Sequence, residues 1–218
     1  VLGNAVLHST RLGYPQPFPR GQSAVRVKEH TVTRVLGCLD NDHEKIHPPV
    51  SGYDLKDLNA GDVFCGYLLL DALISNQDRH HENWAIMLNN ETGERMLCPT
   101  YDHAASLGRE MRDVEKAERL TTKDRNRQIP AFVRRARSEL FKLKTDKKPL
   151  LTVEAFRHAI ENRPRAKEHW FGRLNTLTHE DIVGVFNNVP ADCISEVSRT
   201  FAIEMVLENR RRLLEDES

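Results

Sequence analysis

The run from Asp62 to Ile74 constrains this chain most, because Val63, Phe64, Tyr67, Leu68, Leu70, Leu73 and Ile74 cover most of the circumference of one helix. A helix that is apolar nearly all round has no face to give to water, so it must be buried as a central core element. Asp62 is placed to cap its start. At barely a dozen residues the run is far too short to cross a bilayer. The fold is therefore expected to be built around this helix, with its neighbours packed on every side.

The flanking sequence is consistent with that expectation. Val1 to Pro19 has little periodicity, and Pro15, Pro17 and Pro19 impose an extended path, which predicts a loop or linker. His30 to Asp40 has apolar residues at helical spacing, and Asn41 to Gly52, with His47-Pro48-Pro49, breaks the pattern. After the central helix, Trp84–Leu88 and Arg95–Cys98 flank Asn89-Asn90-Glu91-Thr92-Gly93-Glu94 and read as a β-hairpin. Helices are predicted over Pro130–Leu143, Thr152–Ile160 and Arg165–Leu174, from a cap at Thr178, and from about Asp192 to Leu214. The fold class is mainly α with a small β-hairpin. Residues 1–53 form an N-terminal extended linker and first helix, residues 54–218 a helical lobe, and the whole is one domain.

Lys+Arg 32 against Asp+Glu 32 leaves a formal charge of +0, so the overall balance points to neither nucleic acid nor an anionic membrane as partner. The charge is uneven, however. Residues 109–148 hold fourteen lysines and arginines against seven acids, read either as a solvated helical face or as an anion-attracting surface. Cys38, Cys65, Cys98 and Cys193 show no C-x-x-C spacing, and Cys65 and Cys98 lie in apolar runs, as expected of free thiols in a reducing, cytoplasmic setting. No charged-then-apolar leader opens the chain, and its first residue is Val1 rather than Met.

Between the buried helix and the hairpin lies SNQDRHHENW, residues 75–84. Asp78 and Asn83 stand in the spacing D-x-x-x-x-N, and Asp102 follows the second hairpin strand, which folds back toward the first loop. Three oxygen-bearing side chains can then converge. Phosphoryl transfer asks for such a set, because its transition state is mostly charge to be positioned and neutralised. One Asp orients the attacking hydroxyl, while an Asn and a second Asp hold Mg²⁺, a cation that prefers oxygen ligands and keeps several waters. The five-residue spacing alone is weak; its place after a buried helix and before a hairpin that ends in another Asp is stronger.

DRHHENW followed by PTYDHAASLGRE resembles the C-terminal, catalytic lobe of HipA-like serine/threonine kinases, and D-R-H-x-x-N is similar to the loop of phosphatidylinositol 3/4-kinases in the same wider superfamily. The match covers about Val63 to Arg109. The resemblance implies ATP and Mg as cofactors, Asp78 as base, Asn83 and Asp102 as metal and nucleotide ligands, and Arg79 and His80 as supporting catalytic-loop residues. It also implies a protein Ser/Thr substrate and an antitoxin-like protein partner, with no direct nucleic-acid or membrane contact. His103 and Ala104 replace the Phe and Gly of D-F-G, which puts regulation by a mobile apolar switch in doubt.

The nucleotide-binding N-terminal lobe of such kinases is not recognisable. Ala24-Val25-Arg26-Val27-Lys28 only superficially resembles V-A-I-K, and too few residues precede it; Lys28 reads better as a solvent-facing residue of a short strand. That lobe is expected upstream, on a separate chain, or missing. Two other readings stay open. His80, His81, Asp102 and His103, with Asp78, could ligate metals in a phosphohydrolase. Alternatively, the lobe could be a non-catalytic helical binding module whose Asp-Arg pair merely organises a buried turn.

Overall fold

In the computed structural model, the central helix α3 spans Ala60–Ile74. The structure describes residues 1–11, 13–16, 27–52, 55 and 57–215. Val63, Phe64, Cys65, Leu68 and Ala72 of α3 are buried, as the sequence requires. Its cap lies earlier than expected. Asn59 is the N-cap, accepting from the Asp62 amide at 2.8 Å while Asp62 Oδ2 accepts from the Asn59 amide at 3.3 Å. Asp62 thus serves as the third helical residue of a capping box, where a carboxylate answers the orphan N–H groups.

The other elements wrap this rod. They are α1 (Gly3–Thr10), α2 (Val32–Leu39), β1 (Ile46–His47), β2 (Ile86–Leu88), β3 (Arg95–Leu97), α4 (Asp113–Thr121), α5 (Ile129–Val133), α6 (Thr152–Ile160), α7 (Pro164–Thr176), α8 (His179–Asn187) and α9 (Glu196–Glu215). Helices α2, α6, α7 and α9 pack directly on α3. One apolar cluster runs from Val6 and Leu7 through Phe64 and Phe156 to Leu213.

β2 and β3 pair antiparallel, Met87 facing Met96, as the hairpin reading expects. The sheet gains a third strand that the sequence conceals, because β1 joins β3 in parallel, Ile46 opposite Arg95. Two residues between a turn and a Pro-Pro pair leave no alternation to detect.

Three further expectations are corrected. The segment read as loop contains α1, which tertiary contact holds in place: the Gly3 amide donates to Trp84 O at 2.9 Å and the Asn4 amide to His81 O at 2.8 Å. Pro17 and Pro19 lie outside the described residues. The helix expected over Pro130–Leu143 stops at Val133, and the chain then turns to make bridges of Arg137 with Leu151 and of Phe141 with Thr31. Lys28 sits exposed in a turn rather than on a strand, and Ala24–Arg26 lie outside the described residues. Among the described residues no helix is long and apolar enough to cross a membrane.

Candidate active site

α3 ends with Ser75 in the left-handed region (φ 53°, ψ 44°), turning the chain sharply out of the core and into the polar loop. Asn209 of α9 braces this turn, donating to Leu73 O at 3.0 Å and Ser75 Oγ at 2.8 Å. Asp71, one turn before the end of α3, is the anchor that follows. It is buried, and it receives Arg79 Nε at 2.7 Å, Arg79 Nη2 at 2.8 Å and Asn76 Nδ2 at 2.8 Å. Arg79, itself fully buried, also donates to Asn83 O at 2.5 Å and to Thr100 Oγ1 at 2.9 Å. A planar guanidinium with five donors can make this fork, and an ammonium cannot. One side chain therefore ties the helix end, the far end of the loop and the segment after β3 into one unit.

The loop is folded upon itself within that frame. The His80 amide donates to Asp78 O at 2.8 Å and the Asn83 amide to His80 O at 3.0 Å. Asn83 Nδ2 donates to Asp78 O at 2.7 Å and lies 3.4 Å from Asp78 Oδ2. Because a backbone oxygen can only accept, the amide orientation of Asn83 is fixed, and its Oδ1 faces away as an acceptor. His80 Nδ1 accepts from the Glu82 amide at 3.1 Å, and its Nε2 stands 3.8 Å from Asp78 Oδ1. Asp78 itself remains accessible, its side chain 39% exposed.

Asp102 is exposed and sits at φ 54°, a backbone conformation that costs free energy for a residue with a Cβ. Its carboxylate lies near enough to act on Asp78. Partial burial is the main cause that raises the Asp78 pKa above the ordinary carboxylate value; His80 opposes it, and the charges of Asp102 and Glu139 add to it. Tyr101 donates to Glu82 O at 2.6 Å, a second tie between the two loops.

The histidines separate. His81 is buried and turned inward, its Nδ1 sharing a 2.7 Å hydrogen bond with the Tyr14 hydroxyl. His103 Nε2 is bonded to Thr100 Oγ1 at 2.8 Å. His80, His81, Asp102 and His103 do not form one ligand set, and among the described residues no three His, Cys, Asp or Glu side chains gather to hold a metal ion. Trp84 packs beneath the loop, 1% exposed, donating Nε1–H to His30 Nε2 at 3.2 Å. His30 must then carry its proton on Nδ1, which donates to Glu139 O at 3.2 Å.

Sequence reasoning singled out Asp78, Asn83 and Asp102 as candidates and set Trp84 beneath the loop, but gave no role to Asp71, whose signal was an acid inside an apolar helix. His30, Thr100 and Asn209 carried no local signal, since each acts across the fold. Nor did the sequence show that Arg79 and His80 differ in kind, the first a buried clamp and the second a neighbour of the Asp78 carboxylate.

No protein-family model matches the chain, and no curated protein sequence matches it. A solved structure does: the crystal structure of the Helicobacter pylori proinflammatory kinase CtkA aligns with a TM-score of 0.67 at 17% identity, covering 100% of this chain and 72% of that one. The mostly helical architecture with its three-stranded sheet is thus a kinase-like fold.

Proposed function

We propose that this protein is an ATP- and Mg²⁺-dependent phosphotransferase that acts on a hydroxyl group, a protein Ser or Thr by its resemblance to HipA-like kinases. The observation that carries the reading is the Asp78–Asn83 hydrogen bond beside Asp102, in a loop that Arg79 holds rigid. The fold-level likeness to a kinase supports it. Asp78 is accessible, and its raised pKa makes it a better proton acceptor than an ordinary aspartate, as a base for an incoming hydroxyl needs.

The donors available for a metal are the Asn83 amide oxygen, freed by the orientation of its NH₂, and the carboxylate of exposed Asp102, which has no side-chain partner among the described residues. An all-oxygen pair of this kind fits Mg²⁺, whose remaining positions go to water and nucleotide phosphates. When bound, the Mg²⁺-nucleotide supplies the phosphoryl group and neutralises its charge. A separate nucleotide lobe or an antitoxin-like partner would complete the assembly.

Calorimetry with ATP and Mg²⁺ tests the metal assignment: Asp102→Ala should abolish binding. Asp78→Asn should keep binding and folding while phosphate transfer falls by about 10²- to 10⁴-fold, the usual share of a positioned base. Unchanged transfer in both variants sinks the assignment, and a folded chain that binds no nucleotide means either that the nucleotide lobe lies outside these residues or that the loop is structural.

A further inference from the structure

Next to Asp78 the surface opens into a cleft of about 520 Å³ whose walls include Gln77, Arg109, Arg135 and Arg137. Its roof is pinned to the loop itself. The Gln77 amide donates to Ala105 O at 3.2 Å, and the Leu107 amide donates to Ile74 O at 2.9 Å. Leu107 and Gly108 both lie at positive φ, and a Cβ on Gly108 would stand 2.8 Å from Met111 Cε and from the Phe201 ring. The cleft is therefore a shaped feature fixed to the backbone that carries Asp78.

Its lining sets three arginines against two glutamates. The basic excess of residues 109–148 belongs to a chain with no net charge, and this stretch supplies most of the cleft wall. Arg137 spends one nitrogen on Pro149 O at 2.6 Å. Arg135 is exposed, and no carboxylate pairs with it among the described residues. Among the described residues Arg109 is paired with Glu110 alone, 3.9 Å away with a side chain 87% exposed, a pair too open to cancel it. Glu139 is buried in the same wall, and its charge acts on Asp78.

We infer that this cleft seats the acceptor protein chain, and that Arg109 and Arg135 select segments carrying acidic side chains beside the hydroxyl-bearing residue. The volume suits a few residues of extended peptide. Arg135, exposed and without a carboxylate partner among the described residues, and Arg109, held only by a loose and open pair with Glu110, offer an incoming carboxylate a charge-assisted pair. Glu110 and Glu139 line the same cleft and interrupt its positive charge, so it suits single carboxylates spaced along a peptide rather than the unbroken charge of a phosphate backbone. The role as acceptor site rests on the phosphotransferase reading; the charge selection does not.

The test uses the full chain and two fluorescein-labelled peptides that differ only in having Glu or Gln around one central Ser. Binding is followed by anisotropy and phosphate transfer in parallel. The Glu peptide should bind at least about tenfold more tightly, the size of one good charged contact, with the preference shrinking as salt rises. Arg135→Gln should cut the preference to about twofold or less and Arg109→Gln should reduce it in part, with Mg²⁺-ATP binding unchanged in both. Equal affinity for the two peptides, a preference that survives both substitutions, or tighter binding of a short single-stranded RNA of matched charge overturns the inference. Selective binding without phosphate transfer, in a chain that binds Mg²⁺-ATP, keeps the charge selection and overturns the phosphotransferase reading; transfer without charge preference does the reverse.

Discussion

Replacing Arg79 with Met should unfold this protein more readily than any surface change, and the magnitude follows from its surroundings. Arg79 is fully buried and its partner Asp71 has a side chain 2% exposed, so the substitution leaves a carboxylate in the interior with Asn76 Nδ2 as its remaining side-chain donor among the described residues. Breaking a buried pair from one side costs about 3–5 kcal/mol, because the remaining charge has lost both water and counter-ion. Asn83 O and Thr100 Oγ1 lose their donor as well, each adding about 1 kcal/mol. For a chain of this size the melting temperature should fall by about 10 °C or more.

Urea unfolding followed by the fluorescence of buried Trp84 reads the loss. The double variant Asp71→Leu/Arg79→Met removes both charges together and should be no less stable than Arg79→Met alone. A loss below about 1 kcal/mol in the single variant, or strictly additive losses in the double, would refute the clamp.

Gly3→Ala should destabilise by about 1–3 kcal/mol, because the new methyl would collide with the Trp84 ring and the His81 carbonyl and push α1 off the loop; a denaturation midpoint equal to the parent's would show that α1 is not seated there. Stability should also depend on pH through His30, which burial holds neutral with a pKa of about 3 against an ordinary value near 6.5. Since the unfolded chain binds the proton first, this contribution is complete above about pH 6.5 and is lost as pH falls toward 3. Its slope is at most about 1.4 kcal/mol per pH unit, and His81, lowered mainly by burial, acts in the same direction. Comparing denaturation at pH 7 and pH 5 checks it, and His30→Gln should remove one proton's share of the slope. Asn83→Asp should impair phosphate transfer and nucleotide binding together, since it trades an N–H donor for a carboxylate facing Asp78 O and Oδ2 at 2.7 and 3.4 Å; a fully active variant would show that the bond does not organise the loop.

The sequence by itself determined whatever depends on neighbours within a few residues. The central helix followed from its all-round apolarity, the hairpin from two apolar runs about a short polar loop, and α6 and the Thr178 cap from local helical and capping patterns. The candidate set Asp78, Asn83 and Asp102 was legible because the first two lie in one short loop and the third follows one strand. Only the tertiary structure decided what depends on contacts across the chain. α1 forms in a stretch with little helical signal because Trp84 and His81 offer partners to its first amides, and β1 exists because β3 presents an edge to it. The helix predicted from Pro130 stops at Val133, where the following backbone instead pairs with Leu151 and Thr31. Arg79 is a buried clamp only because Asp71, Asn83 O and Thr100 converge on it from three elements. A local pattern can place a charged residue in a loop, but a buried charge is held by partners that folding alone brings together.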